Sequence, residues 1–169
     1  MRRWPRPAKI LVKVIVSLIV IVGWPILATN VATGAWDMAT LRGCVDGYVQ
    51  IQTDHQLAGA NMPDTADPKV LAAYVVESEV LLEERVGALW CPISVQDDQR
   101  QFVSAHRSYR IFINLVAIHG LPKDEQALAI FWTQYGLLSD RAAAASAALD
   151  TALVDEYKRQ NPAPEQAAQ

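Results

Sequence analysis

No aspartate or glutamate occurs before Asp37, although Arg2, Arg3, Arg6, Lys9 and Lys13 all fall within that stretch. A buried core helix rarely carries five cations on one flank and no opposite charge, so the one-sided start points to a targeting or membrane segment. The same count leaves ten cations against eighteen acids in the remainder, a strongly acidic balance. Nucleic acid is thereby excluded as a partner, because phosphate contacts need clustered Lys and Arg. Cysteine is also scarce, limited to Cys44 and Cys91. Two thiols are too few for a structural zinc site, and the lack of CxxC and CxxCH spacing argues against thioredoxin-like redox work and covalent haem. HExxH, GxSxG and phosphate-binding glycine loops are missing as well. The three histidines, His55, His106 and His119, lie on separate segments or thirteen residues apart, which reads as core or rim histidines and not as a ligand set. Neighbouring acids such as Asp97 and Asp98 point away from one another on a helix and make no glycosidase pair. The expectation is therefore a chain with no catalytic residue, no metal and no cofactor.

After the basic start comes a run of nineteen residues, Ile10 to Ala28, whose centre, Val14 to Val22, is entirely apolar apart from Ser17. Its length matches the roughly 20 residues that cross a hydrocarbon core, and Lys13 lies near enough to its end to snorkel. The same residues satisfy a secretory signal, with Pro25 breaking the helix and Ala28 as the cleavage point. Residues 1–30 are thus read as a signal-anchor or a signal peptide, and the positive-inside bias exports everything after them. The expected location is the bacterial inner membrane, single pass with the domain in the periplasm, or the periplasm alone if cleavage occurs.

Residues 36–160 read as helices, with no strand signal, followed by a disordered tail over 161–169. In LRGCVDGYVQ and its continuation, Leu41, Cys44, Tyr48, Ile51 and His55 recur on one face, so Cys44 points at the core. The turn-rich stretch 59–67 leads to Asp67 as N-cap and Pro68 as first helical residue. Leu71, Tyr74, Val75, Ser78, Leu82, Val86 and Leu89 then trace a second stripe, with Glu77, Glu79, Glu83 and Glu84 read as its solvated face. Ser94 and Asp97 have capping-box spacing ahead of a third helix with the seam Phe102, Ala105, Tyr109, Phe112, Val116 and His119. Gly120 ends it, and Leu121 with Pro122 opens a fourth helix whose alanine-rich continuation reaches Gln160. The fold class is all-α, an up-and-down bundle of four or five helices. In an oxidising compartment its two cysteines form a disulfide, which staples the first two helices if they make an antiparallel hairpin. Cys91, next to Pro92, must then sit in an extended segment folding back along the bundle.

Cys44-x-x-x-Tyr48, then Trp90-Cys91-Pro92 followed by Val95 and Gln99, then His119-Gly-Leu-Pro122, resembles the pattern of the Rap1a/Tai immunity proteins over roughly Leu41 to Tyr135. The resemblance implies a small, exported, helical, disulfide-bonded protein that protects bacteria from secreted effectors that cleave peptidoglycan. Such a protein would work by stoichiometric occlusion of a toxin's cleft. The contact residues on that reading are Asn61, Met62 and Asp64 in the 59–67 loop, with Trp90 and Ile93 beside the staple. The alternative is an accessory subunit of a membrane complex, held through residues 10–28. Both are protein-protein interaction roles.

Overall fold

The computed structural model of the protein describes residues 38–162, and these form four α-helices with no strand among them. Helix α1 covers residues 38–60, α2 Pro68–Gly87, α3 Ile93–His119 and α4 Glu125–Gln160. The 10–28 run and nearly all of the 161–169 tail lie outside the described residues. Among those described, no helix is long and apolar enough to cross a membrane.

Local sequence chemistry accounts for most boundaries. The Asp67 side chain accepts from the Lys69 amide at 2.9 Å, with Pro68 in the first turn where its missing N–H is not needed. Gly120 closes α3 at φ 80°, a left-handed conformation that glycine adopts without steric cost, and its amide donates to Val116 O. Two starts differ from the sequence reading. The Ser94 and Asp97 capping box is not formed: α3 begins at Ile93 behind Pro92, which has no side chain able to cap, one residue ahead of Ser94. Helix α4 starts at Glu125 and not at Leu121, because Asp124 is the first residue whose side chain can cap it, accepting from Ala127 N at 2.9 Å. From there α4 runs unbroken for 36 residues through Gly136, so the described residues hold four helices.

The core has two parts. The larger holds Leu41, Cys44, Tyr48 and Ile51 of α1 against Leu82 and Val86 of α2, Val95 and Phe102 of α3, and Leu149 and Leu153 of α4. All four helices meet there. The smaller cluster, Ala72, Ile113 and Val116 with Phe112, Phe131 and Tyr135 around it, contains nothing from α1. That helix ends at residue 60, level with Tyr74, whose hydroxyl donates to Ala58 O at 2.7 Å. Beyond that level three helices continue without the fourth. Of the three glycines in α1, Gly47 has a close neighbour: a Cβ there would stand 2.6 Å from Leu89 Cδ2, so a larger residue would force that leucine side chain to shift. Nothing within 4 Å explains Gly43.

Cys44 and Cys91 are joined by a disulfide, with Cα atoms 5.0 Å apart. Cys91 sits in the non-helical connection between α2 and α3, as the hairpin argument requires.

The stapled end carries a second tie. Glu156 of α4 is only 4% exposed. Hydrogen bonds from Arg159, helped by Gln160 and Ser94, outweigh its desolvation and pull its carboxyl down to about 2. A carboxylate whose pKa is depressed on folding stabilises the fold above its ordinary range and loses that contribution as pH falls toward the folded value. Replacing Glu156 with Gln is therefore expected to cost about 1 kcal/mol at neutral pH, since Arg159 is itself well solvated. The gap in thermal midpoint between variant and wild type should close as pH is lowered from about 5 to 2. A gap that stays constant across that range would assign the loss to packing instead of charge.

Candidate functional site

A chain of polar side chains crosses the bundle and takes one or two members from every helix. Ser78 Oγ of α2 lies 2.9 Å from Nδ1 of His55 on α1. His55 Nε2 is 3.8 Å from Glu79 Oε1, and Glu79 Oε2 is 2.8 Å from Nδ1 of His106 on α3. Nε2 of His106 then meets Ser146 Oγ of α4 at 3.1 Å. Glu79 and His106 are 5% and 8% exposed, so the central pair is inside the protein. The Ser146 hydroxyl donates to Ala142 O, which leaves its oxygen to accept from His106 Nε2–H. The other ring nitrogen, Nδ1, is the one that meets the Glu79 carboxyl. Phe102 stacks on the imidazole, with centroids 4.2 Å apart, and fixes the ring plane.

One turn along, Glu83 is equally buried and receives Arg110 Nε at 2.6 Å and Arg107 Nε at 3.3 Å. The reading of Glu77, Glu79, Glu83 and Glu84 as one solvated face is thus corrected: Glu77 and Glu84 are exposed, whereas Glu79 and Glu83 face α3. Position explains the split, since Glu79 and Glu83 are one turn apart on the flank that packs on α3, where His106, Arg107 and Arg110 supply partners. Arg107 and Arg110 are accordingly part of the α2–α3 contact.

The arrangement suits registering the four helices against one another. The cavity beside it, about 70 Å³ between Ile51, His55, Ser78 and Leu82, reaches only its α1 end and has room for a water or two. Among the described residues no group of three His, Cys, Asp or Glu stands close enough to hold a metal. Tyr109, partly buried and hydrogen-bonded to Tyr135, has its phenol pushed well above the usual range by desolvation first and by that neighbour second. Burial likewise raises Tyr48, which also meets Asp150 of α4.

The residues singled out for partner contact do not form one patch. Asn61, Met62 and Asp64 stand exposed on the connection between α1 and α2. Trp90 and Ile93 flank the disulfide at the other end of those helices, because α1 and α2 run antiparallel between the two connections. His119 is exposed at the end of α3 and joins neither the polar chain nor a core cluster.

Sequence reasoning passed over a different surface. Ile111, Leu115 and Ile118, at helical spacing of four and three, lie on the side of α3 opposite its buried seam, each more than half exposed. Ile130 and Leu137 of α4 are exposed to the same degree, away from the Phe131 and Tyr135 side that packs on the smaller cluster. The spacing was visible in the chain. It was masked by the stronger inward seam on the same helix, which used up the expected apolar content.

The chain matches no protein-family model, no curated protein and no solved structure.

Proposed function

We propose that this is an exported protein-binding module: a disulfide-stapled helical bundle, held at the membrane by its 10–28 run, that acts by occupying a partner and not by chemistry of its own. The observation that carries the reading is the apolar stripe Ile111, Leu115 and Ile118 on the outer side of α3. Isolated exposed apolar residues are normal on soluble proteins, but three in register on one helix face mark a candidate interaction surface. Its placement in the half where three helices continue without α1 gives a partner a flank of α3 to lie against.

The resemblance to Rap1a/Tai immunity proteins supplies one identity for that partner, a peptidoglycan-cleaving effector whose cleft the bundle would block. The exposed Asn61–Asp64 connection at the same end favours this version, since a cleft takes a protruding loop more readily than a helix flank. The flank itself favours the other version, an accessory subunit lying alongside another helical membrane protein. Both predict the same first result. Replacing Leu115 with Glu should lower partner capture at least tenfold in pull-downs from envelope extracts, while the unfolding midpoint moves by less than about 0.5 kcal/mol. Capture that survives this change would move the binding surface elsewhere. Expression of toxins encoded nearby, with and without the protein, then separates the versions: rescue from lysis supports occlusion, and co-purification of a membrane complex supports the accessory role.

A further inference from the structure

We infer that the partner meets this protein with an amphipathic helix carrying carboxylates at one end of its apolar face, laid along the outer side of α3 so that those carboxylates reach Arg100 and Arg107. The inference rests on the apolar stripe Ile111, Leu115 and Ile118 being the interaction surface, and it adds the partner's shape and charge.

Arg100, Ser104 and Arg107 continue the line of Ile111, Leu115 and Ile118 toward the stapled end, at successive steps of four, three, four, four and three residues, and all six are exposed. Such steps keep them in one narrow sector of the helix. From Arg100 to Ile118 the line runs roughly 27 Å at the helical rise. Beside its basic half the surface is concave: Arg100, Ser104 and Arg107 line a groove of about 720 Å³ between α3 and α2, where Leu89 and Val103 add apolar surface and Gly87 presents no side chain. Neither guanidinium is used up by the fold. Arg107 reaches Glu83 through Nε at 3.3 Å and its side chain remains 59% exposed, while Glu83 has its closer partner in Arg110 at 2.6 Å. Arg100 places one terminal nitrogen on Asp97, one turn away. Both keep N–H donors outward, in the planar fork that takes a carboxylate through two parallel bonds. Arg141 of α4, across α3 and beside Arg100 in a second groove, adds a third cation, against Glu84 and Asp97 as the exposed acids of the two grooves. On a chain whose remainder is strongly acidic, this half-face is where a partner's acids meet attraction.

The order of side chains along the line decides among occupants. A second copy of this chain packed through the same face sets arginine against arginine if the two α3 helices run parallel, and arginine against isoleucine if they run antiparallel, so neither guanidinium gains an acid. A bilayer surface takes a helix whose apolar residues run its whole length with cations along their flanks, whereas here the basic and apolar residues follow one another end to end. A helix with acidic and apolar residues in the matching order satisfies both halves at once.

The test uses the full chain in phosphatidylcholine nanodiscs, with empty nanodiscs as the blank, and two fluorescein-labelled peptides of about 20 residues, long enough to cover the line and held helical by side-chain lactams. Both carry leucines along one half of a face, and the other half carries glutamates in one peptide and lysines in the other. Fluorescence anisotropy is expected to show the glutamate peptide binding at least about tenfold tighter, with the preference shrinking as salt is raised. In the double variant Arg100→Glu with Arg107→Gln the preference should invert; Arg110 still pairs Glu83 there, and the circular dichroism midpoint checks that the variant is folded. Arg100→Glu alone leaves Glu83 untouched and should shift the preference in the same direction by a smaller factor, which serves if the double variant is unstable. Binding of neither peptide, equal affinity for both, or an unchanged preference in the variants overturns the inference. Leu115→Glu should weaken both peptides. If it does so while charge makes no difference, the stripe reading stands and the acidic partner fails; a glutamate preference indifferent to Leu115→Glu overturns both, since the acids then bind apart from the stripe. Displacement of the glutamate peptide by phosphatidylglycerol vesicles would assign the face to lipid and overturn the helix.

Discussion

Replacing Cys44 with Ser is expected to remove on the order of 4 kcal/mol of stability, and measured losses for such bridges usually fall between about 2 and 4. The magnitude comes from the unfolded chain. Cys44 and Cys91 are 47 residues apart, and joining them forbids the many open conformations that the reduced chain would otherwise populate. Native contacts supply little of the difference, because both side chains are buried in the larger core in either case. Against a typical total of about 5–15 kcal/mol, that loss is large enough to leave the variant partly unfolded at growth temperature. Denaturant titration of the oxidised protein, the reduced protein and the Cys44→Ser variant checks it. Reduction and substitution should give the same lowered midpoint. If all three unfold together, the bridge constrains nothing that folding does not already constrain.

The second large effect concerns the pair at the centre of the polar chain. Changing His106 to Ala leaves the buried Glu79 with His55, 3.8 Å away, in place of its close partner, and removing one partner of a buried ion pair costs about 3–5 kcal/mol. Replacing both with apolar residues is a different case. Glu79→Leu together with His106→Leu leaves Ser146 still bonded to Ala142 O and returns two positions to a core that already contains Phe102 and Leu82. The double variant is expected to lie within about 1 kcal/mol of wild type, because the desolvation of both charged groups disappears with their attraction. Urea unfolding of the two single variants and the double one gives the coupling directly. A double variant as damaged as the sum of the singles would mean that the pair contributes packing alone. Stability regained in the double variant, with broadened side-chain NMR signals, would instead show that the pair selects one helix register.

Much of this architecture can be read from residue order, and the failures have a common physical cause. The α3 seam, the Asp67 cap and the facing of Cys44 depend on neighbours three or four residues away, which periodicity reports directly. Pairing of Cys44 with Cys91 needed one further inference, an oxidising compartment, and one geometric idea, a hairpin. The burial of Glu79 and Glu83 was not legible, because their partners stand 24 to 27 residues away on another helix. Taken alone, four glutamates on one helix look like a solvated face. Ser94 failed as a cap because α3 starts one residue before it, at Ile93 behind Pro92. Of the proposed contact residues, Trp90 and Ile93 were placed beside the staple from the extended segment around Pro92, and their exposure came only with the structure. Their separation from Asn61, Met62 and Asp64 followed only once the hairpin had a length.

Two cores that share no buried residue also bear on how such a protein changes over generations. Substitutions far apart and without common partners add in free energy instead of compounding. The cluster around Ile113 and Val116 can therefore drift, and with it the exposed face of α3 beside it, while the cluster around the disulfide keeps the chain folded. On the proposed reading, a lineage that must follow a changing partner has in this division a region to vary and a region to hold constant.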